Sequence, residues 1–459
     1  MNRQRAITVA LVALLGLVAA LGVFDPLFDA GDVPAPARVA LIILTMAAAL
    51  WITEALPLFV TSLLILLLCL TWLRASLLAH DVVVARERFT APFFSDVILL
   101  FLGGFVLAAG LRKYQLDEQM ARWVMRRSHG SVPRLIAGIM AITAVLSMWL
   151  SNTATAAMML SLCLPIVSNL REGDPHRQAI VLAVPFAANI GGLGTPIGSP
   201  PNAIAIEYLR NLDAAPSFAR WMLANVPLAA VLLAIAWLLL TRMYRGDPTP
   251  PTLDAAPLSL APTPARRLTL AVTLLTALGW LTTGFHGLSA GTVGLVPVVV
   301  LFGVGALSAR DLRRLSWDVL LMMGGGLCLG AAIAVSGLAD WLVARLPLEG
   351  ASTYAVVLVF GVTACAMSSV MSNTATANLL MPIVIGLGAA SVSPILLAVA
   401  LACSLAMALP ISTPPNAIAF SSGTLQARDL IVPGVTLTVI GLLLVGTVGL
   451  AWWRFVGLI

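Results

Sequence analysis

The sequence predicts an all-α polytopic membrane protein built from two inverted repeats. Three observations predict this fold class. The 459 residues are 60% hydrophobic and 10% charged, with a mean hydropathy of +1.01, a composition typical of chains that cross a bilayer repeatedly as helices. The hexapeptide Ser-Asn-Thr-Ala-Thr-Ala occurs at 151–156 and again at 372–377, 221 positions later. A second polar break follows each copy, at 194–204 and 410–418.

Apolar runs place the predicted spans along the chain. A first run at 6–24 follows Arg3 and Arg5 without a clear cleavage site, so we interpret it as a retained span or signal anchor. The polar breaks interrupt two further runs, at 178–208 and 394–423. About eleven spans are expected in total. The other predicted spans lie near 37–53, 57–73, 95–112, 217–241, 268–282, 288–306, 317–345 and 432–452.

The repeat extends beyond the polar motifs. Residues 95–104 match residues 317–326 at an offset of 222. Six prolines between Pro248 and Pro264 mark a flexible linker between the halves. The predicted organisation is an N-terminal span and loop at 1–36, a first repeat at 37–244, a cytosolic linker at 245–265 and a second repeat at 266–459.

Two segments, 131–170 and 351–387, fit either a pair of spans or a re-entrant hairpin, since half the hydrocarbon core needs only about ten helical residues. The polar tip of each segment favours the hairpin. With hairpins and a cytosolic N-terminus, 18 basic residues fall in cytosolic loops and 8 outside, which agrees with the positive-inside rule. Segment 74–88, with three arginines outside, is discordant. Each repeat then has four spans and one hairpin, so the second runs inverted to the first.

The polar breaks are suited to binding ions of both signs. Ser, Asn and Thr are favoured helix N-caps, and we expect Ser199 to cap a helix that begins at Pro200, where a missing N–H costs nothing. Thr413 and Pro414 are the equivalents in the second half. Carbonyl ends of helices attract cations and N–H ends attract anions. The pattern therefore predicts two cation pockets with an anion between them, formed without Lys or Arg.

At these residues the chain resembles the divalent anion:sodium symporter family, which includes citrate, dicarboxylate and sulfate carriers. The motifs are the paired Ser-Asn-Thr stretches, the segment Leu-Pro-Ile-Ser-Thr-Pro-Pro-Asn-Ala-Ile-Ala-Phe at 409–420, and Trp-Ile-Thr-Glu-Ala-Leu-Pro at 51–57. The resemblance covers about 37–456. It implies an eleven-span homodimer in a bacterial inner membrane, with a scaffold domain and a transport domain that moves as an elevator. It implies co-transported sodium and no organic cofactor.

The resemblance also implies the site residues. The implied sodium ligands are Ser147, Ser151, Asn152 and Gly198 for one ion, and Ser368, Met371, Asn373 and Ser412 for the other. The implied substrate contacts are Ser151, Asn152, Thr153, Ser199 and Pro200 from one half, and Ser372, Asn373, Thr374, Thr413 and Pro414 from the other. The family often has Thr in place of Ser368 and Ala in place of Met371 and Ser412, so the second sodium site matches less well.

Sodium-coupled symport of a di- or tricarboxylate, such as succinate, malate, fumarate or citrate, is the leading expectation. A sodium-independent carboxylate exchanger or a sulfate carrier is the first alternative, but an exchanger needs a positive group and no Lys, Arg or His lies in the motifs. An intramembrane enzyme is the alternative from another class. It would need a nucleophile–base or metal constellation, and no HExxH motif is present, so we expect a transporter and not an enzyme. The formal charge of +6 comes from scattered loop residues and does not indicate nucleic-acid binding.

Overall fold

The computed structural model describes residues 33–128, 130–246, 263–345, 352–387 and 389–459, with side chains of 389–391 left out. Within these residues every regular element is helical, which confirms the predicted all-α class. Six of the described helices are long and apolar enough to cross a membrane. The predicted first span at 6–24 and most of the predicted linker lie outside the described residues.

Helices of the first half follow the predicted runs closely. Their bounds are α1 Ala35–Thr53, α2 Leu58–Leu78, α3 Asp96–Lys113, α4 Leu116–Arg127, α5 Val132–Ser147, α6 Asn152–Ser168, α7 His176–Gly191, α8 Pro200–Arg210 and α9 Phe218–Met243. A π-helical turn, Cys69–Leu73, lies within α2. The short helices Glu87–Thr90 and Ala91–Phe94 lead into α3.

Helices of the second half begin inside the stretch predicted as linker, because α10 starts at Pro264. Their bounds are α10 Pro264–Leu281, α11 Ala290–Gly303, α12 Trp317–Val335, α13 Leu338–Val343, α14 Thr353–Ser368, α15 Asn373–Ile385, α16 Ala389–Leu405, α17 Pro414–Ser421 and α18 Ala427–Phe455. The short helices Thr283–His286 and Ala309–Arg313 lie between them. The single run predicted at 317–345 is wrong, since Gly337 adopts a left-handed φ of 74° and separates α12 from α13.

The two halves pack crosswise through small residues. Helix α3 packs against α11, and α2 packs against α12. A Cβ built on Gly103 would lie 2.2 Å from the Gly294 carbonyl oxygen, and one on Gly325 would lie 2.2 Å from the Ser62 Cβ. Because α3 and α12 are the segments that match at an offset of 222, each pair joins one helix from either half. Such packing agrees with the predicted repeat, while its inverted orientation stays a prediction.

The hairpins and the broken helices pack across the halves as well. Helix α5 lies along α7, and α14 lies along α16. Helix α8 packs on α15 and α16, while α17 packs on α6 and α7. Each broken helix therefore lies against the hairpin of the other half. This arrangement brings both hairpin tips and both breaks into one polar layer.

Candidate functional site

The first hairpin tip places three oxygen atoms around a single proton. Helix α5 ends at Ser147 and α6 begins at Asn152. The Ser147 hydroxyl lies 2.8 Å from the Ala188 carbonyl oxygen and 2.5 Å from Asn152 Oδ1. A hydroxyl has one hydrogen to donate, so it cannot fully satisfy both acceptors. The Ser151 side chain accepts from the Ala154 backbone amide at 3.2 Å, so Ser151 is the N-cap of α6.

The second hairpin tip repeats this geometry atom for atom. The Ser368 hydroxyl lies 2.9 Å from the Cys403 carbonyl oxygen and 2.6 Å from Asn373 Oδ1. The Ser372 side chain accepts from the Ala375 amide at 3.1 Å and caps α15. Two sets of three oxygens thus share one proton each. Neutral oxygen ligands of this kind suit a hard cation.

The first helix break brings backbone carbonyl oxygens close beside the first tip. A Cβ on Gly192 would lie 3.0 Å from both Asn152 Oδ1 and the Gly198 carbonyl oxygen, and one on Gly198 would lie 2.6 Å from the Gly192 carbonyl oxygen. Only glycine permits this close approach of backbone to amide. The Asn202 amide nitrogen donates to the carbonyl oxygens of Gly192 and Thr195, each at 2.8 Å. Asn202 thereby holds the break in its folded shape.

The second break is held in the same way. The Asn416 amide nitrogen donates to the carbonyl oxygens of Met407 and Leu409, each at 3.0 Å. Ser412 Oγ donates to the same Leu409 oxygen at 2.8 Å. Asn202 and Asn416 are absent from the site residues predicted above, although the Pro-Pro-Asn triplet in both breaks is a usable signal. Met371 lies at the second tip, next to the Ser372 cap, and is 6% exposed.

The two breaks differ in how their helices are capped. Ser199 precedes Pro200 at the start of α8, as predicted, but its side chain accepts no cap hydrogen bond. Its Oγ lies 2.9 Å from the Ser404 Oγ instead, so the predicted side-chain cap is wrong because a hydroxyl from the other half pairs with it. Thr413 does cap α17, because its hydroxyl oxygen accepts a hydrogen bond from the backbone N–H of Asn416 at 3.3 Å.

The predicted substrate residues border solvent over a buried polar layer. Thr153 and Pro414 are exposed, while four other residues of the two tips are half-buried. Behind them Ser199 and Thr413 are each 1% exposed, and Thr374 is 8% exposed. Among the described residues, the hydrogen bonds that join the tips and the breaks run between neutral groups. The half-buried tip residues are Ser151, Asn152, Ser372 and Asn373.

A separate cleft of about 600 Å³ lies at the C-terminal ends of α8 and α15, away from the tips. Arg210 lies beside it and forms ion pairs with Asp96 at 2.8 Å and Glu207 at 3.0 Å. The cleft contains none of the Ser-Asn-Thr residues. We therefore place the candidate site at the tips and breaks, where the acceptors that share one hydroxyl hydrogen and the helix N-termini meet.

Comparison with known proteins identifies sequence relatives over most of the chain. Residues 48–402 match the family described as "Citrate transporter". A sodium-dependent dicarboxylate transporter, SdcS, of Staphylococcus saprophyticus is 35% identical over 419 residues, covering 83% of this chain and 79% of that protein. The SdcS of Staphylococcus aureus strain RF122 is 33% identical over 457 residues, covering 91% of this chain and 86% of that protein.

Two solved transporters resemble the structure. The Alcanivorax borkumensis YdaH transporter aligns with a TM-score of 0.60 at 15% identity, covering 92% of this chain and 99% of that one. Neisseria gonorrhoeae MtrF, described with antimetabolite efflux pumps, aligns with a TM-score of 0.56 at 12% identity, covering 92% of this chain and 96% of that one. At these identities the likeness concerns the fold alone.

Proposed function

We propose a transport function from the premise that this chain belongs to the citrate transporter family, within the divalent anion:sodium symporters. It is an integral membrane transporter that couples movement of a di- or tricarboxylate, such as succinate, malate, fumarate or citrate, to sodium. Chemistry on the substrate is not part of this function, since the site binds and releases its ligands unchanged. Two relatives named as sodium-dependent dicarboxylate transporters support this assignment.

The observation that carries the proposal is the shared proton at each tip. Ser147 faces two acceptors with one hydrogen, and Ser368 does the same in the other half. A sodium ion at each tip would satisfy the excess acceptors. Ser147, Ser151, Asn152 and Gly198 would hold one ion, and Ser368, Met371, Asn373 and Ser412 would hold the other.

The anion would lie between the two ions, against the N-terminal ends of four helices. Its contacts would be Ser151, Asn152, Thr153, Ser199 and Pro200 from one half, and Ser372, Asn373, Thr374, Thr413 and Pro414 from the other. Each helix N-terminus supplies about half a positive charge. A sodium ion a few ångströms from a carboxylate contributes several kcal/mol at an effective dielectric near 20, more than the helix ends do. Sodium therefore supplies the counter-charge that no side chain among these contacts provides.

The two tips differ in a way that supports alternating access by an elevator movement. Trp149 of the first tip stacks on Phe218 and Trp280, with ring centroids 5.9 and 6.3 Å away. The second-tip equivalent of Trp149 is Val370, which is 64% exposed. Ile197 of the first break is 8% exposed, and its equivalent Ile411 is 77% exposed.

In the second conformation that we propose, the two halves exchange the surroundings of their tips and breaks. In the conformation described here, Gly104 of α3 lies next to Ile197, while its equivalent Gly326 of α12 lies next to Asn378, five residues beyond the start of α15. In the opposite conformation Ile411 would lie on Gly326, and Ala157, the equivalent of Asn378, would lie on Gly104. The mobile unit contains the hairpins and broken helices, and the scaffold contains α2, α3, α11 and α12.

The assembly we propose is a homodimer in a bacterial inner membrane, with the N-terminus in the cytosol. The loop-charge bias of 18 basic residues inside against 8 outside supports the orientation. Cross-linking of the purified protein tests the homodimer. A cysteine placed in the short helix Ala309–Arg313, labelled from either side of intact cells, tests the orientation.

Uptake into liposomes tests the function itself. Purified protein reconstituted into liposomes should accumulate radiolabelled succinate or citrate when sodium is imposed outside, with protein-free liposomes as the control. Uptake of sulfate in preference to carboxylates would favour the sulfate carrier. Equal carboxylate uptake in sodium and choline buffers would reject symport, and acceleration by internal carboxylate would then favour the exchanger.

A further inference from the structure

Asn189 connects the two halves inside the polar layer, and the transport proposal above assigns it no role. Its side chain is 1% exposed. Its amide nitrogen donates to the Thr413 hydroxyl at 3.1 Å and to Asn416 Oδ1 at 3.2 Å. A buried amide with both hydrogens used holds its partners in one geometry. Both partners belong to the second break, 224 and 227 positions away in the chain.

The position of Asn189 links it to the first ion pocket. The preceding residue, Ala188, supplies the carbonyl oxygen that accepts from Ser147. An ion that draws on this carbonyl oxygen would therefore act on the backbone next to Asn189. The other end of the same side chain holds Thr413, a substrate contact in our proposal.

Ser404 forms the matching connection in the opposite direction. The preceding residue, Cys403, supplies the carbonyl oxygen that accepts from Ser368 at the second ion pocket. The Ser404 hydroxyl lies 2.9 Å from the Ser199 hydroxyl, a substrate contact of the first half. Each ion pocket is thus joined by one side chain to the anion contacts of the opposite half.

The two connections are unequal in length. The Asn189 side chain is long enough to bond to Asn416 Oδ1 as well as to Thr413. The Ser404 side chain is shorter and bonds only to Ser199, so the equivalent atom Asn202 Oδ1 is buried without a partner among the described residues. Asn202 is fully buried. The path through Asn189 therefore fixes its break with two hydrogen bonds, and the path through Ser404 fixes its break with one.

We propose that Asn189 and Ser404 are positioning residues that couple each ion pocket to the anion contacts of the other half, with Asn189 the stronger of the two. This inference rests on the proposed sodium-coupled function. Sodium at the first tip orders the Ala188 carbonyl and, through Asn189, the Thr413 hydroxyl. Coupling between ligands is reciprocal, so the anion must strengthen sodium binding along the same path.

Calorimetric titration of the purified full chain with succinate and citrate, in sodium chloride and in choline chloride, tests the inference. The ratio of the two dissociation constants is the coupling factor. Asn189→Ala should lower this factor about tenfold, within the roughly 5- to 150-fold range of typical allosteric coupling factors. Ser404→Ala should lower it less, because it removes one hydrogen bond between the halves and Asn189→Ala removes two. The dissociation constant in choline should change less than that in sodium, because Asn189 bonds to Thr413 and Asn416 without an ion, whereas the coupling factor also requires sodium.

Controls separate coupling from folding. Asn225→Ala is the matched control, because Asn225 is equally buried on α9 and donates only within its own helix. Asn189→Ser, which copies the residue in the other path, replaces the alanine variant if that variant does not fold. An unchanged coupling factor in folded Asn189 variants, or an equal loss of affinity in both salts, would overturn the inference. Absence of any sodium effect in the unsubstituted chain would instead overturn the proposed function.

Discussion

Gly326→Ala should shift the protein toward its second conformation. A Cβ on Gly326 would lie 1.9 Å from both Cγ and Oδ1 of Asn378, a distance that no side chain can tolerate without movement. The equivalent Cβ on Gly104 would lie 3.5 Å from the nearest atom of Ile197, an ordinary van der Waals contact. If the halves exchange roles, Gly326 meets Ile411 in the second conformation and tolerates the methyl group there.

The size of the shift follows from the packing. Overpacking by one methyl group costs about 1–3 kcal/mol, which changes the equilibrium constant about 5- to 150-fold. Starting from equal populations, a fivefold change leaves about one sixth of the molecules in the conformation described here. If the second tip comes to lie beside Gly326, the five residues from Asn373 to Asn378 correspond to about 7.5 Å along α15 at 1.5 Å per residue.

Cysteine labelling measures the population. Ile411 is exposed in this conformation and should be covered in the second one proposed above, and all five native cysteines are buried. Ile411→Cys therefore distinguishes the two. A hydrophilic maleimide should label Ile411→Cys at least about threefold more slowly when Gly326→Ala is present, in proportion to the population lost. Gly104→Ala in the same background is the control and should leave the rate unchanged. Equal slowing by both alanines, or none by Gly326→Ala in a protein that elutes normally on gel filtration, would refute the reasoning.

The remaining predictions concern ligands and pH. Asn152→Ala and Asn373→Ala should each weaken anion binding more than tenfold, since a hydrogen bond to a charged group contributes about 1.5–3 kcal/mol; wild-type half-saturation in both variants would show that the site is misassigned. Substrate should raise the melting temperature strongly in sodium chloride and weakly in potassium or choline chloride, whereas equal stabilisation in all three salts would reject sodium as counter-charge. The hydrogen bond from Lys113 lowers the pKa of Asp311 to about 2. Its contribution to stability should be present above the ordinary aspartate pKa and be lost as pH falls through about 2. Asp311→Asn should therefore lower the melting temperature slightly at pH 7, and an identical difference at pH 2 would contradict this assignment.

Much of the polar layer could be predicted from local sequence. Thr413 caps its helix as expected, and Ser151 and Ser372 cap theirs in the same way, because a cap depends on residues only three positions apart. Pro200 begins α8 for a similarly local reason. The paired motifs also pointed to the tips, since polar side chains inside two apolar runs need partners.

What the sequence analysis missed depends on contacts between the halves. Asn189 and Ser404 lie in apolar runs whose periodicity says nothing of a partner more than 200 positions away. Ser199 fails to cap α8 for the same reason, because Ser404 reaches it from the other half. The sequence also gave no sign of the break at Gly337. One left-handed residue changes the direction of the chain but does not interrupt the apolar run.

The neutral character of the tips and breaks has a consequence for how transport responds to acidity. Hydroxyls, amides and backbone groups do not titrate in the physiological range, so the tips and breaks do not change charge between pH 5 and pH 8. A change of anion affinity with pH would then report the protonation of the carboxylate substrate and not of the tips and breaks. A tricarboxylate that gains a proton should enter the site as a dianion, and its apparent affinity should follow the abundance of that species. The protein would select among the charge states that its substrate already presents in solution.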